Sequence, residues 1–558
     1  MFKITSKTRA VLAGLILSIM VLYTGCGPGV ESSKPTAEKA PNVLLILVDD
    51  LGYSDLGSYG GEIRTPHIDS LAEDGLLMTQ FYNASRCAVT RASMMTGLYQ
   101  HQVGVGANRP RETPEYQAAL NEQCVTLAEV LREAGYATYL SGKWHLGEED
   151  SQRPQARGFD RSYGILRGMS SYFNTHPMPD KKGEGEELTI NRDRKWRFLL
   201  DDVDVDVPET TMEMWARNEG FYTTDVFTDY AIEFLEEHQS ERADKPFFLY
   251  LPYTAPHWPI QVFPEDIAKY EGRYDQGWDH LREERYQKQL ELGVIEAHTA
   301  LGPRTEKMGP WETASEEDRQ EFVREMEGYA GMVDRIDQNV GRVLEKLERM
   351  GVAENTIVIF LSDNGGCHTT KNNEGPPEVL GSPLSVVTYS YIGASVSNTP
   401  FRLQKQYIHE GGIATPFLVR FPKRIPAGLM DRQVGHIVDI MPTLLDYCGA
   451  TYPESFKGST IPPLVGQSLR PVFEGKPLEQ GTPLFWEHRG NKGVRVDDWK
   501  LVASHPGLEW ELYNMAKDRS ELDDLSSSMP GKRDELIALY TDWATANRVL
   551  PPVPGEIP

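Results

Sequence analysis

The chain has 558 residues, of which 82 are acidic and 57 basic, for a net charge of -25. That balance excludes nucleic acid as a partner held by bulk charge, and any anionic ligand must be captured by local positive groups. The length exceeds what one hydrophobic core usually needs, and 49 glycines with 37 prolines indicate many ordered loops and not a disordered chain.

The N-terminus reads as a targeting segment. Lys3, Lys7 and Arg9 precede an apolar run from Val11 to Leu22 that is too short to span a bilayer comfortably. Leu22-Tyr23-Thr24-Gly25-Cys26 resembles a bacterial lipoprotein cleavage site, so residues 1–26 are expected to be a lipoprotein-type signal peptide with Cys26 lipidated. Plain secretion is the alternative. Residues 27–40 read as a tether. The mature protein is therefore expected in the bacterial periplasm or cell envelope, meeting the membrane only through its N-terminal lipid. The other cysteines, Cys87, Cys124, Cys367 and Cys448, are too scattered for a disulfide framework or a zinc site, and allow one disulfide without naming its pair.

Asn42 to Val48 is an almost continuous apolar run, the pattern of a strand covered on both faces. It ends at Asp49-Asp50, adjacent carboxylates that need a cation or a base to neutralise them. Pro66 to Leu77 reads as a helix. The stretch Asn83 to Gly97 then puts Cys87 and Arg91 four apart at a helix start, where unpaired N–H groups and an arginine suit an oxyanion. The bland alternative is an inert buried cysteine. Val125 to Ala134 is an amphipathic helix, and Tyr136 to Leu140 a strand feeding Ser141-Gly142-Lys143-Trp144-His145. An extended backbone would point Lys143 and His145 the same way.

A polar loop runs through Arg197, and Asp201 to Asp206 reads as a solvated loop or edge strand. Asp225 to Glu237 is helical, and the strand Pro246 to Tyr250 delivers Thr254-Ala255-Pro256-His257. Phe263 to Pro310 is long and charged and looks like an insertion near the active face. Glu316 to Met350 is helical, with a break expected near Gly328 or Gly331. The strand Thr356 to Leu361 ends in Ser362-Asp363-Asn364-Gly365-Gly366. A polar loop from Thr388 leads to Lys405, then His409-Glu410-Gly411-Gly412, the strand Pro416 to Phe421 and the helix Val438 to Cys448. Beyond it, four short strand signals between Leu484 and Tyr513 precede a helix from Gly531 to Asn547. The expected fold is α/β: a large central mixed β-sheet flanked by helices over residues 41–460, with a smaller C-terminal antiparallel-sheet subdomain over 461–558.

In such a sheet the carboxyl ends of the strands line one crevice, and here they carry Asp49, Asp50, Lys143, His145, His257, Asp363 and Asn364. Three acids and an amide suit a hard cation, calcium or alternatively magnesium, and Arg91, Lys143 and Lys405 would offset the charge of a transferring group with three oxygens. These residues resemble those of the type I sulfatases, in the alkaline phosphatase-like superfamily, over about Pro41 to Leu525. Cys87-Ala88-Val89-Thr90-Arg91 with Thr96-Gly97 matches the signature whose Cys or Ser becomes formylglycine. The resemblance implies that Cys87 is the formylglycine precursor, made by a formylglycine-generating enzyme, and that Arg91 steadies it. It implies that Asp49, Asp50, Asp363 and Asn364 hold calcium. Lys143, His145, His257 and Lys405 match the remaining catalytic elements, with His257 serving the leaving oxygen and His145 the release of sulfate. Trp486-Glu487-His488 resembles the start of the C-terminal region that helps form the substrate pocket.

The implied activity is hydrolysis of sulfate monoesters by a formylglycine nucleophile, on small sulfated saccharides and also on aryl sulfates. One residue departs from the pattern: Val89 stands where Pro or Ala is usual. If Cys87 is not converted, the alternative is a lipoprotein that binds sulfated glycans without catalysis. The other alternative is a phosphodiester or phosphonate monoester hydrolase on the same scaffold. No pattern in the chain specifies an oligomeric state.

Overall fold

A computed structural model describes residues 39–173, 196–305, 307–368, 379–479 and 481–551. The leader, Cys26 and nearly all of the tether lie outside them, as does most of the polar loop before Arg197. Residues 40–558 form one compact unit.

The strand Asn42–Asp49 is the axis of a ten-stranded sheet. It pairs in parallel with Phe247–Pro256 on one side and Thr356–Ser362 on the other. Its side chains alternate between two cores: Leu44, Ile46 and Val48 enter one, Val43, Leu45 and Leu47 the other. That two-sided burial is why the run shows no polar alternation. Ala137–Lys143 continues the parallel set beyond Phe247–Pro256, and Arg161–Ile165 lies parallel to it. Antiparallel pairing enters on both sides, at Phe417–Arg420, beyond which lie Leu76–Met78 and Leu429–Asp431, and at Phe198–Leu200 with Val203–Val205, so the sheet is mixed. A separate four-stranded antiparallel sheet follows, Leu484–His488, Asn491–Val496, Trp499–Ala503 and Trp510–Asn514, with the helix Pro530–Ala546 against it. The α/β fold with its smaller C-terminal sheet is thus present.

Several local expectations change. The helix starting at Pro66 ends at Glu73, and Leu76–Met78 is a short sheet strand. The helix Glu316–Arg349 runs unbroken for 34 residues. Gly328 does not interrupt it; a Cβ there would lie 2.6 Å from Ile260 Cγ2, so the glycine permits close packing. The charged stretch after Phe263 contains the helices Pro264–Ala268 and Gly277–Leu292. The second buries Arg285, which bonds Asp55 at 2.7 Å and Glu62 at 2.7 and 2.9 Å. Inward polar groups replace the apolar stripe that would have revealed this helix. The loop after Thr388 contains the helix Tyr391–Ser397. The four described cysteines are free thiols, and no helix among the described residues is long and apolar enough to cross a membrane.

Candidate active site

The four central parallel strands end side by side, and the predicted residues lie at those ends. Asp49 and Asp50 close the axial strand, with Asp363 and Asn364 after one neighbour and His257 after the other. Lys143 is the last residue of the next strand. That strand does not extend to His145, whose φ is +58°, so the alternation argument for pairing it with Lys143 does not hold. Asp50, Ser85 and Gln406 also have positive φ. Non-glycine residues in this region are strained and cluster at functional sites.

Arg91, wholly buried on the helix Cys87–Thr96, ties the strand ends together. Its Nε and Nη2 donate to Asp363 Oδ2 at 3.0 and 2.8 Å, and its Nη1 to the Lys143 carbonyl at 3.0 Å. Lys143 Nζ pairs with Asp49 Oδ2 and Lys405 Nζ with Asp50 Oδ1. Asn364 Nδ2 also donates to Asp50 Oδ1, at 2.7 Å. Burial disfavours the Asp50 carboxylate, but Lys405 and His257 together hold its pKa below the usual range. For Asp363, burial and the neighbouring Asp49 win over Arg91 and push the carboxyl well above that range.

Among the four expected metal ligands, Asp49 Oδ1, Asp50 Oδ2 and Asn364 Oδ1 are buried without a hydrogen-bond donor. Desolvated carboxylate oxygens without partners are costly, and an oxygen donor set of this kind fits a hard divalent cation. Asp49, Asp50 and His257 each bring one potential ligand atom within 4.8 Å of the others. His257 Nε2 is 3.7 Å from Asp50 Oδ2, while its Nδ1 faces the Trp258 carbonyl at 2.6 Å. His257 therefore borders the candidate cation site as well as the cavity, a second position that its expected catalytic role did not anticipate.

Cys87 is the first residue of its helix and is 3% exposed. Asn108 Nδ2 donates to its Sγ at 3.8 Å. Burial alone would raise the thiol, yet Lys143 and Lys405 bring it down to about 7. His145 is pushed far below the ordinary imidazole value, by burial and then by Lys143 and Arg91, and stays neutral. Val89 is fully buried in the helix.

Above these groups opens a cavity of about 410 Å³. Cys87, His145, His257 and Lys405 line it, with Arg86, Asn108, Arg109, Trp258, His368 and Arg489, which sequence reasoning had not singled out. Arg86 had a signal available, since it adjoins Cys87. Trp258 adjoins His257 and Arg489 follows His488 in the same way, whereas Asn108, Arg109 and His368 lie in loops with no pattern of their own. None of the described lining residues comes from the stretch 263–310. A second cavity of similar volume is lined by Asp431, Asp439, Asp497 and Asp498 together with Arg432 and Arg495.

Comparison with known proteins agrees with this geometry. The family model described as Sulfatase matches residues 41–450, and one described as N-sulphoglucosamine sulphohydrolase, C-terminal, matches residues 401–535. An uncharacterized sulfatase of Schizosaccharomyces pombe is 34% identical, over 91% of this chain and 94% of its own. An arylsulfatase of Klebsiella aerogenes is 30% identical, over 79% and 93% respectively. The crystal structure of Ps i-CgsB in complex with k-i-k-neocarrahexaose superposes with a TM-score of 0.65 at 26% identity, covering 91% of this chain and 94% of that one.

Proposed function

The chain belongs to the sulfatase family and is a sulfuric ester hydrolase with a metal-assisted site, and from that premise we propose that it acts on sulfated carbohydrates, and also on aryl sulfates, through a formylglycine at position 87. The carrying observation is the set of donorless buried oxygens on Asp49, Asp50 and Asn364, beside a cysteine at a helix start in the field of two lysines.

In this reading Asp49, Asp50, Asp363 and Asn364 hold calcium, with magnesium as the alternative ion. A bound cation would offset charge on the sulfate oxygens. Lys143 and Lys405 bind those oxygens. Arg91 fixes the carboxylate of Asp363 and the end of the Lys143 strand around residue 87. The hydrated aldehyde would supply two hydroxyls: one, its proton lost to solvent, attacks sulfur as the S–O bond to the substrate alcohol breaks, and loss of the other's proton then breaks the bond between the residue 87 carbon and the sulfate oxygen, releasing sulfate and an aldehyde that water rehydrates. His257 gives a proton to the departing alcohol oxygen, and His145 takes the one from the second hydroxyl.

The carbohydrate assignment draws support from the sugar-bound relative. The proposed organisation is a lipoprotein-type signal peptide over 1–26, a tether over 27–40, a catalytic domain over 41–460 and a C-terminal subdomain over 461–558. A lipid on Cys26 would hold the enzyme in the cell envelope.

The test is peptide mass spectrometry of the tryptic fragment Cys87 to Arg91, from protein made alongside a formylglycine-generating enzyme. The expected mass is that of the aldehyde or its hydrate. An unchanged thiol, found again in protein from the native host, would overturn the formylglycine assignment.

A further inference from the structure

We infer that the cavity selects substrates with a second anionic group beside the scissile sulfate, and that Arg86 is the specificity-determining residue; this rests on the sulfate-ester reading above. The argument begins with charge. Below the cavity, Asp49, Asp50 and Asp363 are balanced by Arg91, Lys143 and Lys405. The wall then adds Arg86, Arg109 and Arg489, and none of its described lining residues is Asp or Glu. In a chain of net charge -25, a pocket whose described lining holds three guanidiniums and no acid is a local reversal of sign. A sulfate monoester carries one negative charge, which in the reading above is met by the bound cation together with Lys143 and Lys405. Arg86 and Arg109 are then cations beyond those the sulfate needs, which suits a substrate whose remainder is also anionic.

Arg86 has the strongest claim among the three. It immediately precedes Cys87 and caps the helix with extended backbone, φ -154° and ψ 147°. Its Nε is buried without a hydrogen-bond partner, and it forms no ion pair among the described residues. A buried donor with no acceptor is costly, and a ligand can supply the missing acceptor. Adjacency to residue 87 sets the distance: the anion it meets must lie close to the sulfate. Arg109 is exposed at the rim, while Arg489 sits on the turn between Leu484–His488 and Asn491–Val496. The same positive field reaches His488, which burial, Arg86 and Arg489 hold neutral. A guanidinium binds planar or multi-oxygen anions through paired N–H groups, so the chemistry recognised is a carboxylate or a second sulfate-like group.

The experiment uses the calcium-loaded, formylglycine-bearing enzyme and three phenyl sulfates that differ at the meta position: a carboxylate, a sulfonate, and the methyl ester of the carboxylate. Turnover of the ester tests the sulfate-ester reading by itself. The selectivity, kcat/KM for each charged substrate over that for the ester, tests Arg86. Dividing wild-type selectivity by variant selectivity cancels leaving-group differences. For Arg86→Ala this quotient is expected to be about tenfold or more, with partial recovery in Arg86→Lys. Whichever charged substrate loses more identifies the preferred anion. A quotient near one for both would overturn the inference. If Arg86→Ala does not fold, Arg86→Gln replaces it. Calorimetric binding of the matching non-hydrolysable benzylsulfonates, acid against methyl ester, gives the same quotient independently of turnover.

Discussion

The chain buries two clusters of charged side chains, and the difference between them separates architecture from chemistry. One joins the C-terminal sheet to the main body. Glu410 Oε1 accepts from Lys500 Nζ at 2.9 Å, and its Oε2 from the Tyr82 hydroxyl at 2.8 Å and Arg519 Nε at 3.2 Å. Glu521 Oε2 accepts the Glu410 N–H at 2.8 Å, and its Oε1, which makes no hydrogen bond, is neutralised by Lys500 Nζ 2.8 Å away. Both oxygens of Glu410 are thus occupied. The other cluster lies at the ends of the central strands, where Asp49, Asp50 and Asn364 each retain a buried oxygen without a donor. A closed cluster spends its polarity on holding segments together, whereas an open one has capacity left for a ligand. Glu410 belongs to the His409-Glu410-Gly411-Gly412 run that follows Lys405 in the chain, yet its contacts are structural. Gly411 fits the same account, since a Cβ there would lie 2.2 Å from the Leu403 carbonyl oxygen.

Substitutions that strike the open cluster should abolish turnover and spare the fold. Cys87→Ala is expected to lower kcat by about 10³-fold or more, because the nucleophile is lost while binding groups remain. A chelator should do the same to the wild type, and added calcium should restore it. Steady-state kinetics with circular dichroism checks both. Restoration by no divalent cation would contradict the open-cluster interpretation.

The closed cluster should behave in the opposite way. Glu410→Ala leaves Lys500 and Arg519 buried without their shared carboxylate, a loss of about 3–5 kcal/mol. Denaturant unfolding should register it. Turnover per folded molecule should stay within a few-fold of wild type. A stable Glu410→Ala enzyme that had lost its turnover would place Glu410 in the chemistry and break the comparison.

The two clusters were not equally legible in the sequence. Asp49, Asp50, Asp363, Asn364, Lys143 and His257 could be placed because apolar runs reveal buried strands, and functional groups in such sheets gather at strand ends. Lys405 could be named only as a positive group following a polar loop until the family resemblance gave it a position, since the helix Tyr391–Ser397 and the turns after it carry no clear period. The closed cluster was invisible. Tyr82, Glu410, Lys500 and Arg519 are spread over more than 400 positions, and each alone looks like a surface polar residue. The helix Gly277–Leu292 was hidden for a related reason, because its inward face holds Arg285 and Gln289. Apolar periodicity reports burial that is driven by hydrophobicity. It is silent where charge pairing permits the burial.

Acid should discriminate the clusters further. Burial works against the Glu410 carboxylate, but Lys500, Arg519 and Arg495 more than offset it and hold its pKa well below the ordinary 4.5. A carboxyl depressed in the folded state stabilises fully above its unfolded value, and that stabilisation is lost as pH falls through the interval below about 4.5. Unfolding free energy should therefore decline more steeply from pH 5.5 to pH 3.5 in wild type than in Glu410→Gln. Parallel declines would mean that the ion pairs add little. Comparing the two proteins removes the opposite contribution of groups such as Asp439, which burial raises to about 7.

The smallest effect expected is that of Tyr82→Phe. The hydroxyl donates to Glu410 and accepts from Arg495 Nη1 at 2.6 Å, so its removal takes one contact from each. Neither charge is stranded, because Glu410 keeps Lys500 and Arg519, and Arg495 Nη2 keeps Gln80 Oε1 at 2.9 Å. The ring, in edge contact with Trp486 at 6.0 Å, should still pack. The cost should be about 1 kcal/mol, the usual net value of one hydrogen bond. A double-mutant cycle with Glu410→Gln would show whether that value belongs to this pair. Strong coupling would make the cluster a cooperative unit that fails as a whole, whereas additivity would make it a set of separate contacts.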